Sequence, residues 1–284
     1  MLTGIAATLA LIVMGQTAAR TAPAVEEAPP PTQIRLDFQN QTLAEIVEGI
    51  NAQSPGSLAI STQRDRRLPG EIPLPATPRP RFSLHEPKPV TFWEAVERVE
   101  RASGTLALAG NTGKGIHSMI LFPASPGRGF IHHDGVLRIM VTGTYYLSAY
   151  QFAPHFFNQP GLPQPNRDGS SRQPVVYINL LITAEPRLKI LGLPETVADE
   201  AVDDRGRGLL NVTPWRESRR KPHRGPKGFS NEDFAQVVIK GLDDPGKTIK
   251  RLRGKLSVEL SDHDSGSPAR IVEASFDFRD IPLP

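Results

Sequence analysis

Two stretches of the chain share one pattern of apolar and polar positions. They are IRLDFQNQTLAEIVEGINAQSPGSLAI, residues 34–60, and FSLHEPKPVTFWEAVERVERASGTLAL, residues 82–108. Apolar residues recur at i, i+3, i+4 and i+7 in both, at Leu43, Ile46, Val47 and Ile50 and again at Phe92, Ala95, Val96 and Val99. This spacing predicts one apolar stripe on each of two helices. Alternating residues before and after each helix predict short strands.

Both predicted helices begin with the same capping signal. Thr42 is followed three residues later by Glu45, and Thr91 by Glu94, the spacing of a capping box. When the stretches are aligned at these threonines, they also share Val and a second Glu at the same steps. One helix on two short strands encloses too little apolar surface to be stable alone. We therefore predict a duplicated β-α-β domain over residues 34–122, with two helices on a small sheet.

The remainder of the chain has the pattern of an all-β domain. Alternating or apolar runs predict strands at residues 135–141, 175–183, 188–191, 195–201, 234–239, 247–260 and 271–278. The composition of Asp203-Asp204-Arg205-Gly206 predicts a turn between two of them. About seven short strands without a convincing helix favour a β-sandwich over residues 123–284. The predicted fold class is α+β, a duplicated β-α-β domain followed by a β-sandwich domain.

Composition and charge narrow the class of protein. The chain has 284 residues and 38% are hydrophobic, which suits about two globular domains. It has no cysteine, which excludes disulfides, thiol catalysis and cysteine-ligated metals. A formal charge of +3 is too small to indicate a nucleic-acid partner.

The first residues have the composition of an export signal. Residues 2–19 carry no charge, and small residues suited to cleavage follow at Thr17, Ala19, Ala22 and Ala24. We expect a signal peptide over residues 1–24 and an extended, mobile Pro-rich linker over residues 25–33. An uncleaved membrane anchor and a cytoplasmic helix are the alternatives, because no Lys or Arg precedes the apolar run.

The segment LDFQNQTLAEIVEGINAQSPGSLAI resembles the short N-terminal (STN-like) domains of outer-membrane secretins and TonB-dependent receptors, over roughly a quarter of the chain. The second unit, with FWEAVERVERASG, and the Glu185-Pro186-Arg187 and Asp203-Asp204-Arg205-Gly206 segments also resemble a group of exported bacterial proteins without an established activity. Nothing else in the chain resembles the membrane-embedded domains of secretins or receptors. The resemblance implies a periplasmic interaction module of the cell envelope and not a channel.

Three polar clusters have residue types that suit metal or triad chemistry but lack the spacing. For His132-His133-Asp134 a polar strand entry is preferred to a metal site, because no further ligand follows at a suitable step. An acidic turn is preferred to a calcium loop at Asp199, Glu200, Asp203 and Asp204. For Asp262-His263-Asp264 a solvated loop is preferred to a triad, because triads assemble from distant segments. The sequence predicts no catalytic residue, metal or cofactor.

Glu185 is the one carboxylate that demands a partner. It ends an apolar run and precedes Pro186, so that burial requires pairing, with Arg187 as the nearest cation. We favour a structural ion pair over a catalytic acid. The enzyme alternative is a hydrolase of envelope polysaccharide that uses carboxylates such as Glu185 and Asp203, facing each other across a cleft.

Two segments are candidate contact sites. Aromatic residues gather ahead of a Pro/Gly/Asn-rich stretch, at Tyr145, Tyr146, Tyr150, Phe152, Phe156 and Phe157, where they suit recognition of a protein or sugar. A basic run suits an anionic partner and includes Arg219, Arg220, Lys221 and Arg224. For the aromatic residues, packing of the segment onto the sandwich is preferred to a contact role, and for the basic run a mobile loop is preferred.

The sequence therefore predicts non-catalytic binding or scaffolding, with an envelope protein or an anionic polymer as partner and no nucleic acid. A polysaccharide binder and a purely structural spacer are further alternatives. Membrane contact is expected only through an uncleaved N-terminal segment.

Overall fold

A computed structural model describes residues 25–54, 60–62, 80–111, 117–123, 130–147, 175–210, 231–240, 246–262 and 268–283. Most of these residues are in β-strands, and two helices lie with small sheets in the N-terminal half. The fold is therefore a β-rich α+β fold. Past Phe130 the described residues form strands and turns and no helix.

Both predicted helices are present and both carry the predicted caps. Helix α1 spans Leu43–Asn51 and helix α2 spans Phe92–Ser103. In each, the threonine hydroxyl accepts from the backbone N–H of the glutamate, and the glutamate carboxylate accepts from the threonine backbone N–H. The backbone bond from Thr91 is the main cause that lowers the pKa of Glu94. Gly104 ends α2 at φ +65°, a conformation that glycine adopts without strain.

Seven short strands accompany the helices and form small sheets. They are β1 (Gln33–Ile34), β2 (Asp37–Thr42), β3 (Ile60–Thr62), β4 (Arg81–His85), β5 (Val90–Thr91), β6 (Thr105–Asn111) and β7 (His117–Pro123). Strands β1 and β5 pair antiparallel, as do β2 and β4. Strand β7 lies between β3, which is parallel to it, and β6, which is antiparallel. The alternating residues that precede the first helix, which predict one strand, are divided between β1, β2 and the link between them. They are Ile34, Leu36 and Phe38, and all three are buried.

The two helices bury their stripes in one core. Val47 of α1 and Val96 of α2 are 4% and 1% exposed and belong to the same hydrophobic cluster. Phe92 and Trp93 are fully buried in that cluster, with their rings edge-to-face at 5.0 Å. Neither helix therefore covers its apolar side alone.

The C-terminal half consists of two antiparallel sheets. Its strands are β8 (Ile131–Asp134), β9 (Leu137–Leu147), β10 (Val175–Ala184), β11 (Leu188–Asp203), β12 (Glu232–Lys240), β13 (Thr248–Asp262) and β14 (Arg270–Pro282). One sheet has the order β12-β10-β9-β8 and the other β11-β13-β14. Both contribute to a second hydrophobic cluster, which includes Ile139, Ile178, Leu256 and Phe276. The alternation expected along β13 and β14 is confirmed, since Leu252, Leu256, Val258, Leu260, Val272, Ala274, Phe276 and Phe278 are all buried.

Candidate functional site

Glu185 lies directly after β10 and is fully buried. Its carboxylate accepts from Thr32 N at 3.0 and 3.1 Å and from Thr32 Oγ1 at 2.7 Å. Arg187 Nε donates to it at 3.2 Å, which confirms the predicted ion pair. These donors satisfy a carboxylate that would otherwise be costly to bury. With no access from solvent, this group is poorly placed to protonate a substrate.

Arg187 also fixes the Pro-rich segment that precedes the helical half. Its guanidinium donates to the carbonyl of Pro30. Glu26 N donates to Ile271 O of β14 at 2.8 Å, and Phe92 N donates to Thr32 O at 2.9 Å. The expectation of a mobile linker over residues 25–33 is therefore corrected from Glu26 to Thr32, where the segment is anchored. The anchoring follows from the buried carboxylate of Glu185, which accepts from Thr32 of this segment as well as from Arg187.

Asp203 is the second carboxylate of the enzyme alternative. Like Glu185, it accepts hydrogen bonds from an arginine side chain and from backbone amides. It ends β11 and accepts from Arg205 N at 3.0 Å, from Arg207 N at 2.8 Å and from Arg207 Nη2 at 2.7 Å. Burial raises the pKa of Asp203, but the bonds from Arg207 and Arg205 outweigh it and hold the pKa below its ordinary value. The turn lies where the composition predicts it, and the bonds from Arg205 and Arg207 to the Asp203 carboxylate stabilise it.

The other residues of the acidic run point to different partners. Glu200 lies 3.6 Å from both Arg251 and Arg253, and Asp204 accepts from Lys247 N at 3.1 Å. Within the described residues, no group of three or more His, Asp or Glu side chains could hold a metal ion.

A buried polar cluster joins α2 to the four-stranded sheet. Arg138 of β9 and Glu100 of α2 form an ion pair at 2.8 Å, and the two side chains are 3% and 5% exposed. Glu100 also accepts from Ala107 N at 2.7 Å, and Arg138 donates to Ala107 O at 3.2 Å. Trp93 Nε1 donates to Val136 O at 3.0 Å, and the Arg138 guanidinium lies 5.7 Å from the Trp93 ring. These contacts tie the helical half to the sheet.

His133 completes this junction. Its ring stacks on Trp93 with centroids 6.4 Å apart, and its Nδ1 lies 3.9 Å from Glu97. Burial lowers the pKa of His133 to about 4, and the nearby charge of Arg138 acts in the same direction. His133 is therefore neutral at pH 7. Its neighbour His132 instead packs edge-to-face against Phe278 at 6.3 Å, so that the paired histidines do not converge.

The outward face of the four-stranded sheet carries an aromatic and amide patch. Tyr145 and Tyr177 are stacked with centroids 5.1 Å apart at an interplanar angle of 8°. Gln236 Nε2 lies 2.6 Å from the Tyr145 hydroxyl and 3.0 Å from Asn179 Oδ1. Phe234 is 64% exposed and Tyr145 38%. The strand register places them on one side of the sheet, because Phe234 pairs with Leu181 and Tyr145 with Tyr177, four residues apart on β10. We call Tyr145, Asn179, Gln236 and Phe234 the outer aromatic face.

Most of the predicted contact residues lie in parts of the chain that the structure does not describe. Tyr145 and Tyr146 lie in β9, and only the Tyr145 side chain is among the described residues. Eight predicted residues lie outside the described residues, namely Tyr150, Phe152, Phe156, Phe157, Arg219, Arg220, Lys221 and Arg224. His263 and Asp264 of the third polar cluster also lie outside, whereas Asp262 pairs with Arg270 at 3.0 Å.

Sequence reasoning missed the junction, although a signal for it was present. Glu100 lies four residues after Val96, on the apolar stripe of α2. Arg138 interrupts a run of apolar residues in β9. A charged residue on a buried stripe requires a partner of opposite charge, and these two meet that need for each other. Phe234 was predicted only as part of a strand, without assignment to a face.

No membrane-spanning helix is found among the described residues. Comparison of the chain with protein-family models, with curated proteins and with solved structures finds no match.

Proposed function

We propose that the protein is a non-catalytic protein-interaction or scaffolding module of the bacterial cell envelope. One observation carries the proposal: the two carboxylates named for the hydrolase alternative, Glu185 and Asp203, are buried and accept hydrogen bonds from arginine and backbone donors. A general acid or base must reach the proton it transfers. Carboxylates enclosed in this way serve the fold instead.

The proposed architecture is an STN-like duplicated β-α-β domain over residues 34–122, followed by a β-sandwich domain over residues 123–284. The equivalent capping boxes at Thr42 and Thr91 support the duplication, as does the common core of Val47 and Val96. The core shared by two antiparallel sheets supports the sandwich. The uncharged apolar run of residues 2–19 supports export through a signal peptide.

The outer aromatic face is the proposed contact surface. Exposed aromatic side chains give large contact area at small entropic cost, which is why they dominate protein interfaces. Phe234 and Tyr145 combine such area with the amide groups of Gln236 and Asn179. None of these four side chains is charged. The free-energy cost of removing water from this surface when a partner binds is therefore small.

Site-specific photocrosslinking in the producing bacterium tests this proposal. A photoreactive phenylalanine analogue replaces Phe234 in one variant and Val197 in the control. Val197 is 42% exposed and lies in β11, on the other sheet. The proposal predicts a discrete crosslinked envelope protein from position 234 that is absent from position 197. Identical products at both positions, or none at 234, would overturn it.

A further inference from the structure

A row of polar residues crosses the outer aromatic face between its two exposed rings. Asn179 of β10 pairs with Gly143 of β9 and with Gln236 of β12, and residues directly opposite each other in an antiparallel sheet share one face. We call Gly143, Asn179 and Gln236 the polar row. Tyr145 lies two residues from this row on β9, and Phe234 lies two residues from it on β12, on the opposite side. A ligand that contacts both rings therefore crosses the polar row.

The polar row has open space at its β9 end. Gly143 has no side chain, and nothing lies within 4 Å of the position that its Cβ would occupy. The pairing of β9 with β10 shifts register next to Gly143, but Gly143 does not have a positive φ, so that the backbone there does not require glycine. A glycine inside a strand leaves room for the backbone of a ligand to approach closely.

Hydrogen bonds within the outer aromatic face leave donors without acceptors. Gln236 Nε2 donates to Tyr145 Oη at 2.6 Å and to Asn179 Oδ1 at 3.0 Å, which uses both hydrogens of that amide. Because the Tyr145 oxygen is the acceptor in its bond, its own hydrogen is free to donate. The amide nitrogen of Asn179 has no acceptor among the described residues. The groups left for a ligand are therefore mainly donors, and none of them is charged.

These groups favour a ligand that has acceptors and few donors. Proline has a backbone carbonyl and no N–H. In the polyproline II conformation the backbone makes no internal hydrogen bonds, so that its carbonyls remain available to a partner. A proline-rich segment can thus bind over the polar row without leaving a buried N–H unpaired. Surfaces lined by aromatic side chains recognise such segments because their conformation is already formed before binding.

The spacing of the two rings fits this conformation. Tyr145 and Phe234 are opposite residues four apart on β10, and they lie on the two strands beside it. Strand geometry separates them by about 14 Å along the strands and about 10 Å across them, or about 17 Å in total. In a polyproline II helix, residues i and i+6 are about 19 Å apart on the same side. Prolines at such positions reach both rings, and the residues between them lie over the polar row.

We infer that the outer aromatic face binds a proline-rich segment of a partner protein, which lies over the polar row in the polyproline II conformation. The Tyr145 hydroxyl and the Asn179 amide donate to backbone carbonyls of the segment, and the open space at Gly143 receives its backbone. A polysaccharide fits this face less well, because its hydroxyl groups also require acceptors. The inference rests on the proposed role as a protein-interaction module and assigns that module a class of ligand.

Amide NMR of the full chain with a synthetic decaproline peptide tests the inference. The peptide should shift the side-chain amide signals of Asn179 and Gln236, whereas a decapeptide of alternating glycine and serine should not. Gly143→Val fills the open space and should weaken binding about tenfold or more. Gly208→Val is the control, because its Cβ position is equally open and it lies beyond the end of β11, away from this face. Tyr145→Phe keeps the ring, removes the donor and should weaken binding about fivefold.

The backbone amide spectra of the variants verify that they are folded, and Tyr145→Phe provides the test if Gly143→Val does not fold. Four outcomes would overturn the inference: no shift at Asn179 and Gln236, equal shifts with the two peptides, equal weakening by the two glycine variants, or unchanged affinity of Tyr145→Phe. Shifts with cellohexaose and none with decaproline would overturn it in favour of a polysaccharide. The same shifts on self-association without peptide would overturn it in favour of a second copy of this chain.

The experiment separates the class of ligand from the proposed function. A partner crosslinked at Phe234 without decaproline binding would retain the proposed function and overturn only the proline-rich ligand. Decaproline binding without a crosslink at Phe234 would retain the peptide site and overturn the proposed function.

Discussion

Thr32 and Glu185 are 153 residues apart in the chain, and the Thr32 hydroxyl donates to Glu185 Oε2 across 2.7 Å. The same carboxylate takes the Thr32 backbone N–H and the Arg187 guanidinium. The entry to the helical half is thereby tied to the end of β10. A carboxylate used in this way holds the two halves together and is not available for proton transfer.

Thr32→Val removes the hydroxyl bond and leaves the backbone bonds in place. Because a hydrogen bond to a charged group contributes about 1.5–3 kcal/mol, we expect the free energy of unfolding to fall by about 2 kcal/mol. Denaturant unfolding of the purified chain measures the change. Thr142→Val is the control, since that exposed hydroxyl makes only a long bond of 3.4 Å, to Asn179 O. Equal changes in the free energy of unfolding of the two variants would show that the bond from the Thr32 hydroxyl to Glu185 does not stabilise the fold.

Arg138→Met leaves Glu100 buried without its cation, and we expect a loss of about 3–5 kcal/mol in the free energy of unfolding. Arg101→Met on α2, the helix that carries Glu100, is the matched control. Arg101 pairs with Glu97 at 2.5 Å, but its side chain is 56% exposed, so that its loss should cost less than about 1 kcal/mol. The double variant Arg138→Met/Glu100→Leu should recover part of the loss in a double-mutant cycle. Additive losses would contradict the pairing.

His133 predicts a dependence of stability on pH. Its pKa is about 4 in the folded protein against an ordinary value of 6.5, chiefly because it is buried. The unfolded chain therefore binds a proton below pH 6.5 that the folded protein accepts only near pH 4. Stability should fall as the pH drops from 6.5 to 4, by about 3 kcal/mol in total.

His133→Phe keeps an aromatic ring against Trp93 and removes this titration. Unfolding free energies measured between pH 7 and pH 5 should then vary less in the variant than in the wild type. The pKa values of Asp203 and Glu94 are lowered from ordinary values of 3.8 and 4.5. Their protonation therefore changes the stability mainly below those values, and between pH 7 and pH 5 the change comes from His133. If the unfolding free energies of the wild type and of His133→Phe changed in parallel with pH, His133 would not be the cause of the pH dependence.

Gly254 lies where the sheet β11-β13-β14 leaves no room for a side chain. A Cβ atom there would lie 2.2 Å from Val197 O and 2.6 Å from the Phe276 ring. Backbone cannot yield as a flexible side chain can, so that Gly254→Ala should destabilise the protein by about 1–3 kcal/mol. Gly143→Ala in β9 is the control, because nothing lies within 4 Å of its Cβ position. Thermal unfolding compares the two, and equal melting temperatures would contradict this packing.

Local signals in the sequence predicted local structure well, and contacts between distant residues only in part. The capping boxes at Thr42 and Thr91 involve residues three apart, so that the sequence contains both partners of each bond. The sequence also predicted that Glu185 requires a partner, and it predicted Arg187, two residues away, as that partner. The contact of Glu185 with Thr32 was not predicted, because the segment around Thr32 has the proline content of a linker. Only the folded chain brings Thr32 to Glu185.

The candidate contact surface shows the same division. Tyr145 was identified from the local density of aromatic residues. Phe234 was not, because its exposure follows from the register of β12 against β10, which places it opposite Leu181 on the outward side. Strand pairing depends on distant partners, and a shift of one residue moves every side chain to the other face.

The central claim is that the buried carboxylates serve structure and not catalysis, and the unfolding free energy of Glu185→Gln tests it most directly. If Glu185 anchors Thr32 and Arg187, the neutral amide should lower that free energy by about 3–5 kcal/mol, because Arg187 loses its ion pair with a fully buried carboxylate and Thr32 loses a charged acceptor. Replacement of a catalytic acid tends instead to leave stability unchanged or to raise it. A Glu185→Gln protein as stable as the wild type, or more stable, would contradict the account.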